Sequence, residues 1–214
     1  MASCLLRAII EDLITSKTKL VLWSDNCCGQ LKNRMMLFLY LYLIAIGMFD
    51  KIEHKFLMVG HSFGSADRDF VLIEQGWKVA SKNQVMGHVA AAIEEARIFR
   101  PFRTLNMGGK FFDIDAAASM TINTSRVNVS KAAWIVVEKS APGVVKIKES
   151  FNELCDFRSY KVLKPGVTMK NIAGIQIQAL PASVPLSTMK KEDLRKMLPF
   201  LDQENREFFQ QLLA

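Results

Sequence analysis

Leu20-Val21-Leu22-Trp23-Ser24-Asp25-Asn26-Cys27-Cys28-Gly29-Gln30-Leu31-Lys32-Asn33-Arg34 is the stretch on which the fold turns. Four apolar residues running into Ser-Asp-Asn have the composition of a buried strand that ends in a turn. A long apolar helix then begins near Gln30 and stops around Gly47. Upstream, Leu5, Leu6, Ile9, Ile10 and Leu13 recur at helical spacing across Ser3–Ile14, with Arg7, Glu11 and Asp12 on the other side. Downstream, Lys55-Phe56-Leu57-Met58-Val59-Gly60 reads as a second buried strand leading into His61 and Ser62, and a helix from about Ser65 to Gln75 follows. Helix, strand, helix, strand, helix predicts an α/β core whose mostly parallel or mixed sheet is flanked by helices. Sites in such sheets lie beyond the carboxyl ends of the strands. Asp25-Asn26 from one strand, and His61-Ser62 followed by Asp67 and Asp69 from the other, are expected at that edge, with the two strands as neighbours.

Further along, Ser81 and Gln84 form a capping-box pattern before a helix carrying Val85, Val89, Ala92 and Ile93 on one face and ending near Arg97. From Phe111 the pattern changes to short apolar segments at Trp134–Val137, Val144–Ile147, Tyr160–Leu163 and Ile175–Ile177, separated by Pro142-Gly143 and Pro165-Gly166. Those are turn signals between short strands. Two short helices, Met189–Leu198 and Asn205–Leu213, close the chain, with Asp202 as a potential N-cap of the second. The expected organisation is a core over 1–110, a small β-rich region over 111–180 and a C-terminal helical segment over 181–214.

With 214 residues, half of them hydrophobic, the chain is long enough for a sizeable core and needs no disulfide framework. Its four cysteines, at 4, 27, 28 and 155, show neither disulfide nor zinc spacing, which points to a reducing compartment, nuclear or cytoplasmic. The longest apolar run, Met35–Ile46, falls short of the roughly 20 residues that span a bilayer, and no secretory signal is visible, so no membrane association is expected. The net charge of +7 is localised. Residues 1–78 carry 9 Lys+Arg against 8 Asp+Glu, whereas 97–170 carry 13 against 6. A DNA or RNA partner for that basic segment is the natural expectation, and Arg97, Arg100 and Arg103, interleaved with Phe99 and Phe102, suit a surface that tracks a phosphate backbone.

Two chemistries compete in the opening stretch. A carboxylate at the end of a buried strand serves a cation or caps the next helix. Asp67 and Glu74, seven residues apart, share a helical face behind the second strand and could converge with Asp25 on a divalent metal. His61 would then orient a water or contact phosphate. In the rival reading, Cys28 and Arg34 form a Cys-x5-Arg phosphate loop, with a thiolate attacking phosphorus and the Arg forking the phosphoryl oxygens. That loop has a single Gly, fewer small residues than a backbone cradle for phosphate usually needs.

The string Ser24 to Gln30 with Lys32-Asn33, followed by Gly60-His61-Ser62, Asp67-Arg68-Asp69-Phe70 and Ile73-Glu74, resembles an uncharacterised family of transposon-derived animal proteins. Lys191, Asp193-Leu194, Leu198-Pro199 and Glu207-Phe208-Phe209 resemble that family's closing pattern, and Leu31 stands where the family usually shows Asn. The resemblance implies a partial ribonuclease-H-like core of the transposase and integrase type, in which three acidic residues hold two Mg²⁺ ions for phosphodiester displacement. On that likeness Asp25 matches the second acid, and Asp67 or Asp69, with Glu74 behind them, the third. No acid upstream of Asp25 matches the first, so the opening strands of such a core are expected to be missing here. The resemblance thus implies a DDE-type nucleic-acid-processing domain, with a non-catalytic module that binds nucleic acid or protein as the alternative.

Overall fold

The computed structural model describes residues 1–11, 17–57, 65–79, 84–181 and 185–213, and of Cys28, Ser65, Ala66 and Val79 the backbone alone. It divides into two compact units, the first formed by 1–62 with 107–182 and the second by 63–106 with 183–214.

The first unit is a mixed five-stranded sheet with helices on one face. Its elements are α1 (Ala2–Ile10), β1 (Lys19–Ser24), a single helical turn α2 (Cys28–Leu31), α3 (Arg34–Ala45) and β2 (Lys51–Phe56). The second unit begins with α4 (Ser65–Val79) and α5 (Met86–Glu95). The first unit then resumes with α6 (Ile114–Thr121), β3 (Trp134–Glu138), β4 (Val144–Lys148), β5 (Arg158–Lys161) and α7 (Met169–Ala173). Helices α8 (Thr188–Met197) and α9 (Gln203–Leu213) complete the second unit. The strand order is β1-β2-β3-β4-β5, with β1 and β2 parallel and every later pair antiparallel. β1 and β2 are neighbours as expected, paired from Lys19↔Lys51 to Ser24↔Phe56. Among the described residues, β1 is an edge strand.

The apolar helix α3 explains the crossover between the two parallel strands. It is buried nearly all round, with Met36 to Leu41, Leu43 and Ile44 all inaccessible, which makes it the centre of the core rather than an amphipathic cover. Its start is set by Asn33, whose side-chain oxygen accepts from the Met36 N–H at 3.0 Å. That cap divides the single helix expected from Gln30 into α2 and α3. Ile52 and Phe56 from β2, Ile135 and Val137 from β3, and Val145 and Ile147 from β4 pack against the same cluster, joined by Leu6, Ile9, Ala118 and Ile172 from the helices.

The second strand lies earlier than its apolar run suggested, at Lys51–Phe56 instead of Lys55–Gly60. Its inward parity is Ile52, His54 and Phe56, and the polar member is tolerated because both of its ring nitrogens find partners in the core. Residues 111–180 hold the helices α6 and α7 as well as strands, and β3 to β5 continue the sheet begun by β1 and β2. Ile175–Ile177 is not a strand: it follows α7, and the chain meets the sheet unit again through an isolated bridge at Phe112↔Ala179. Ser81 lies outside the described residues. Gln84, its expected partner in a capping box, accepts instead from the Asp202 N–H at 2.8 Å and from Asn205 Nδ2 at 2.9 Å. Asp202 precedes α9, and its carbonyl receives the Arg206 N–H at 3.2 Å.

Candidate functional site

The carboxyl ends of β1 and β2 meet a polar cluster that starts in the core and ends at the Asp25 turn. Tyr40, on α3, is fully buried, and its hydroxyl lies 2.5 Å from His54 Nδ1. His54 Nε2 in turn lies 2.8 Å from Ser24 Oγ, the last residue of β1, and Ser24 Oγ donates to the Asp25 carbonyl at 3.1 Å. Burial holds the Tyr40 phenol protonated, far above its usual range. Burial, aided by the positive charge of Lys32, pushes His54 down to about 4. A protonated phenol donating to Nδ1 leaves the hydrogen on Nε2, so the ring donates to Ser24. The polarity therefore runs from Tyr40 through His54 and Ser24 to the Asp25 backbone. In this direction His54 does not withdraw the serine proton, and the trio anchors the strand end instead of forming a nucleophile with its base.

Beyond the anchor, Asp25 is exposed, and its Oδ1 accepts from the Cys27 N–H at 3.4 Å. The carboxylate thus closes a local turn and remains open to solvent. Lys32, only 7% exposed, donates to Asn26 Oδ1 and to the Ser130 carbonyl at 3.2 Å, and its ammonium stands 4.5 Å from the Phe56 ring centre. A cavity of about 340 Å³ opens at this edge, with Asn26, Lys32, Phe56, Ser130, Lys131 and Glu149 in its wall. Glu149 follows β4 directly, and because β4 runs parallel to β2, it emerges at the same sheet edge as Asp25. Three strand spacings of about 4.8 Å separate the strands that carry these two acids, too far for one metal shell. Glu149 is met by Arg158 at 3.7 Å.

Arg34, the fork of the Cys-x5-Arg reading, donates to Asp115 Oδ1 at 2.7 Å, on the opposite side of the Asn33 cap from α2. Asn33 also donates to the carbonyls of Gly29 and Gln30 at 3.2 and 3.0 Å, satisfying backbone around the turn. Of Cys28, the backbone opens α2.

The remaining acids of the expected metal set belong to the second unit. Asp67 lies in the first turn of α4, Asp69 accepts from Arg97 Nη1 at 3.1 Å, and Glu74 pairs with Lys78 at 2.8 Å one turn on. Asp69, proposed as a metal ligand, and Arg97, proposed for phosphate, thus meet each other. Arg97 also donates from Nε to the Arg100 carbonyl at 2.8 Å and lies 4.1 Å over the Phe102 ring. Arg100 adopts a left-handed φ of 55° and lies 5.5 Å over Phe99, and Arg103 is exposed. His61 lies outside the described residues. No group of three or more His, Cys, Asp or Glu side chains placed to hold a metal occurs among the described residues. Nor does any helix among them have the length and apolarity to cross a membrane.

Sequence reading missed Tyr40, His54 and Lys32. The available signal was parity: in Lys51-Ile52-Glu53-His54-Lys55-Phe56, alternation places His54 between two core residues, where a histidine needs partners for both nitrogens. Residues 1–153 match the family described as Domain of unknown function (DUF7869), and the chain belongs to it. No curated protein and no solved structure matches the chain.

Proposed function

We propose that this chain is a nucleic-acid-processing domain of transposon ancestry, built on a ribonuclease-H-like half-sheet, in which Asp25 holds one ligand position for Mg²⁺-dependent phosphodiester chemistry. The observation that carries the reading is the β1–α3–β2 unit: two parallel strands joined by a buried helix, with Asp25 at the carboxyl end of the first and an acid-bearing helix, α4, following the second in the chain. The carboxylate suits a divalent ion, being an exposed hard-oxygen donor whose protein contact is a long one to Cys27. On α4, an ion would have to displace Arg97 from Asp69 and Lys78 from Glu74. When bound, Mg²⁺ supplies charge neutralisation at the phosphate and activation of the attacking oxygen.

The chain's own residues do the positioning. The Tyr40–His54–Ser24 series ties the Asp25 backbone to the core, so the carboxylate is presented from a fixed strand end. The neighbouring cavity, with Lys32 and Lys131 in its wall, has room and positive charge for a phosphodiester group.

The test is nicking of supercoiled plasmid by the full chain in Mg²⁺ or in EDTA. Nicking is expected in Mg²⁺ alone, lost in Asp25→Asn and kept in Cys28→Ser. Nicking that survives Asp25→Asn but fails in Cys28→Ser transfers the chemistry to the thiol and overturns the proposal. DNA binding with no nicking overturns it as well, leaving a binding module.

A further inference from the structure

The sheet of the first unit has a second face, and its side chains are arranged in rows that the core does not use. Cross-strand register puts Trp23, Lys55, Trp134 and Lys148 side by side across β1, β2, β3 and β4. All four stand at the parity opposite to the inward residues Leu20, Ile52, Ile135 and Ile147. The next row along the strands is Val21, Glu53, Val136 and Lys146, and Val136, although buried, is absent from the core cluster.

Aromatic rings and ammonium groups alternate in the first row. Lys55 Nζ lies 5.0 Å from the Trp23 ring centre and 4.1 Å from that of Trp134. Phe151, just past β4, stacks on Trp23 at 6.1 Å and leans on Trp134 at 6.2 Å. Phe157 meets Trp134 edge-on at 5.2 Å, with Lys148 5.8 Å over its ring. Trp23 is 57% exposed and Phe157 37%. The indole N–H of Trp134 has no hydrogen-bond partner among the described residues.

The charge on this face is one-sided. Lys19, Lys51, Lys55, Lys146, Lys148 and Lys161 share the parity, against Glu53 and Glu138. Both glutamates are already neutralised: Glu53 by Lys19 at 2.8 Å and Lys51 at 3.2 Å, Glu138 by Lys146 at 2.8 Å and Lys51 at 3.2 Å. An apolar protein surface laid over the rings would leave the surplus ammonium groups buried without counter-charge, which is costly. A polyanion that carries its own flat π-faces satisfies both features at once.

We propose that this face of the sheet is a stacking platform for single-stranded nucleic acid, with Trp23 and Phe157 receiving unpaired bases and the more open lysines, Lys19, Lys51, Lys146 and Lys161, receiving phosphates, while the buried Lys148 and the largely covered Lys55 hold the rings in place. Duplex DNA offers phosphates but keeps its base faces stacked on one another, so it uses only half of what the surface presents. The platform is built wholly within the first unit, on the sheet face beside the Asp25 edge, and uses neither Asp25 nor a metal, so it holds whether or not that edge supports catalysis.

The test is fluorescence anisotropy of the full chain with labelled oligothymidylate and with a labelled duplex of equal length, at two salt concentrations in EDTA. Single-stranded DNA is expected to bind more tightly than duplex. Trp23→Ala should weaken its binding about tenfold, the scale of one lost base–aromatic stack, while Trp23→Phe restores most of it. Trp23 is exposed enough for circular dichroism to confirm that both variants stay folded. Tighter binding to duplex overturns the proposal. So does binding that ignores Trp23→Ala yet collapses when Arg97, Arg100 and Arg103 are replaced by Gln, which assigns it to the second unit. Absence of binding together with self-association that Trp23→Ala abolishes assigns the face to a second copy of the chain, and also overturns it.

Discussion

Lowering the pH should weaken the sheet-bearing unit through one residue, His54. In the fold its imidazole is held neutral down to about 4 by burial and by Lys32, against 6.5 for an ordinary histidine. Between those values the unfolded chain takes up a proton that the folded chain refuses. Stability contributed by the neutral ring is therefore complete above 6.5 and is lost as the pH falls toward the folded value. The interval between 6.5 and about 4 corresponds to about 3 kcal/mol, of which about 2 kcal/mol should be gone near pH 5. Urea unfolding at stepped pH measures this directly. Trp23 and Trp134 report on the first unit, and a Trp77→Phe background removes the tryptophan of the second. In His54→Gln the pH dependence between 6.5 and 4.5 should flatten, whatever the variant's absolute stability. Tyr40→Phe should cost about 1–3 kcal/mol, because Nδ1 loses its donor in the core, yet keep the slope of the parent. Equal slopes in the parent and in His54→Gln would refute the assignment of the acid sensitivity to this ring.

Asn33→Ala should lower stability by about 1 kcal/mol in urea unfolding, since Asn33 caps α3 through the Met36 N–H and also holds the carbonyls of Gly29 and Gln30. Gly143→Ala should be costlier than Gly166→Ala in the same assay: both positions have left-handed φ, 71° and 78°, but only at Gly143 would the new Cβ meet a neighbour, standing 2.5 Å from Leu163 Cδ1.

Much of the α/β core was legible because it rests on local signals. The buried strand before Ser24, the all-apolar helix after it and the Pro-Gly turns before β4 and after β5 all follow from patterning and turn chemistry, whereas the second strand starts four residues before the apolar run that marked it, because its pairing with β1 and β3 begins at Lys51. Helices α6 and α7 escaped because eight residues of mostly alanine and small polar character, and five in Met-Lys-Asn-Ile-Ala, are too short for a period to show, and their caps, Asp113 and Thr168, stand among turn-rich residues. Asp25 could be placed at a strand end from sequence, since a polar break after an apolar run marks that end. What anchors it could not. Tyr40 and His54 belong to different elements, and a buried tyrosine and histidine become partners only when the helix crosses the sheet that carries the histidine. The row from Trp23 to Lys148 is likewise invisible along the chain, because it joins residues over a hundred positions apart. Alternation within a strand decides which residues share a face, but the register between strands decides which of them touch, and register is fixed by long-range pairing rather than by any local pattern.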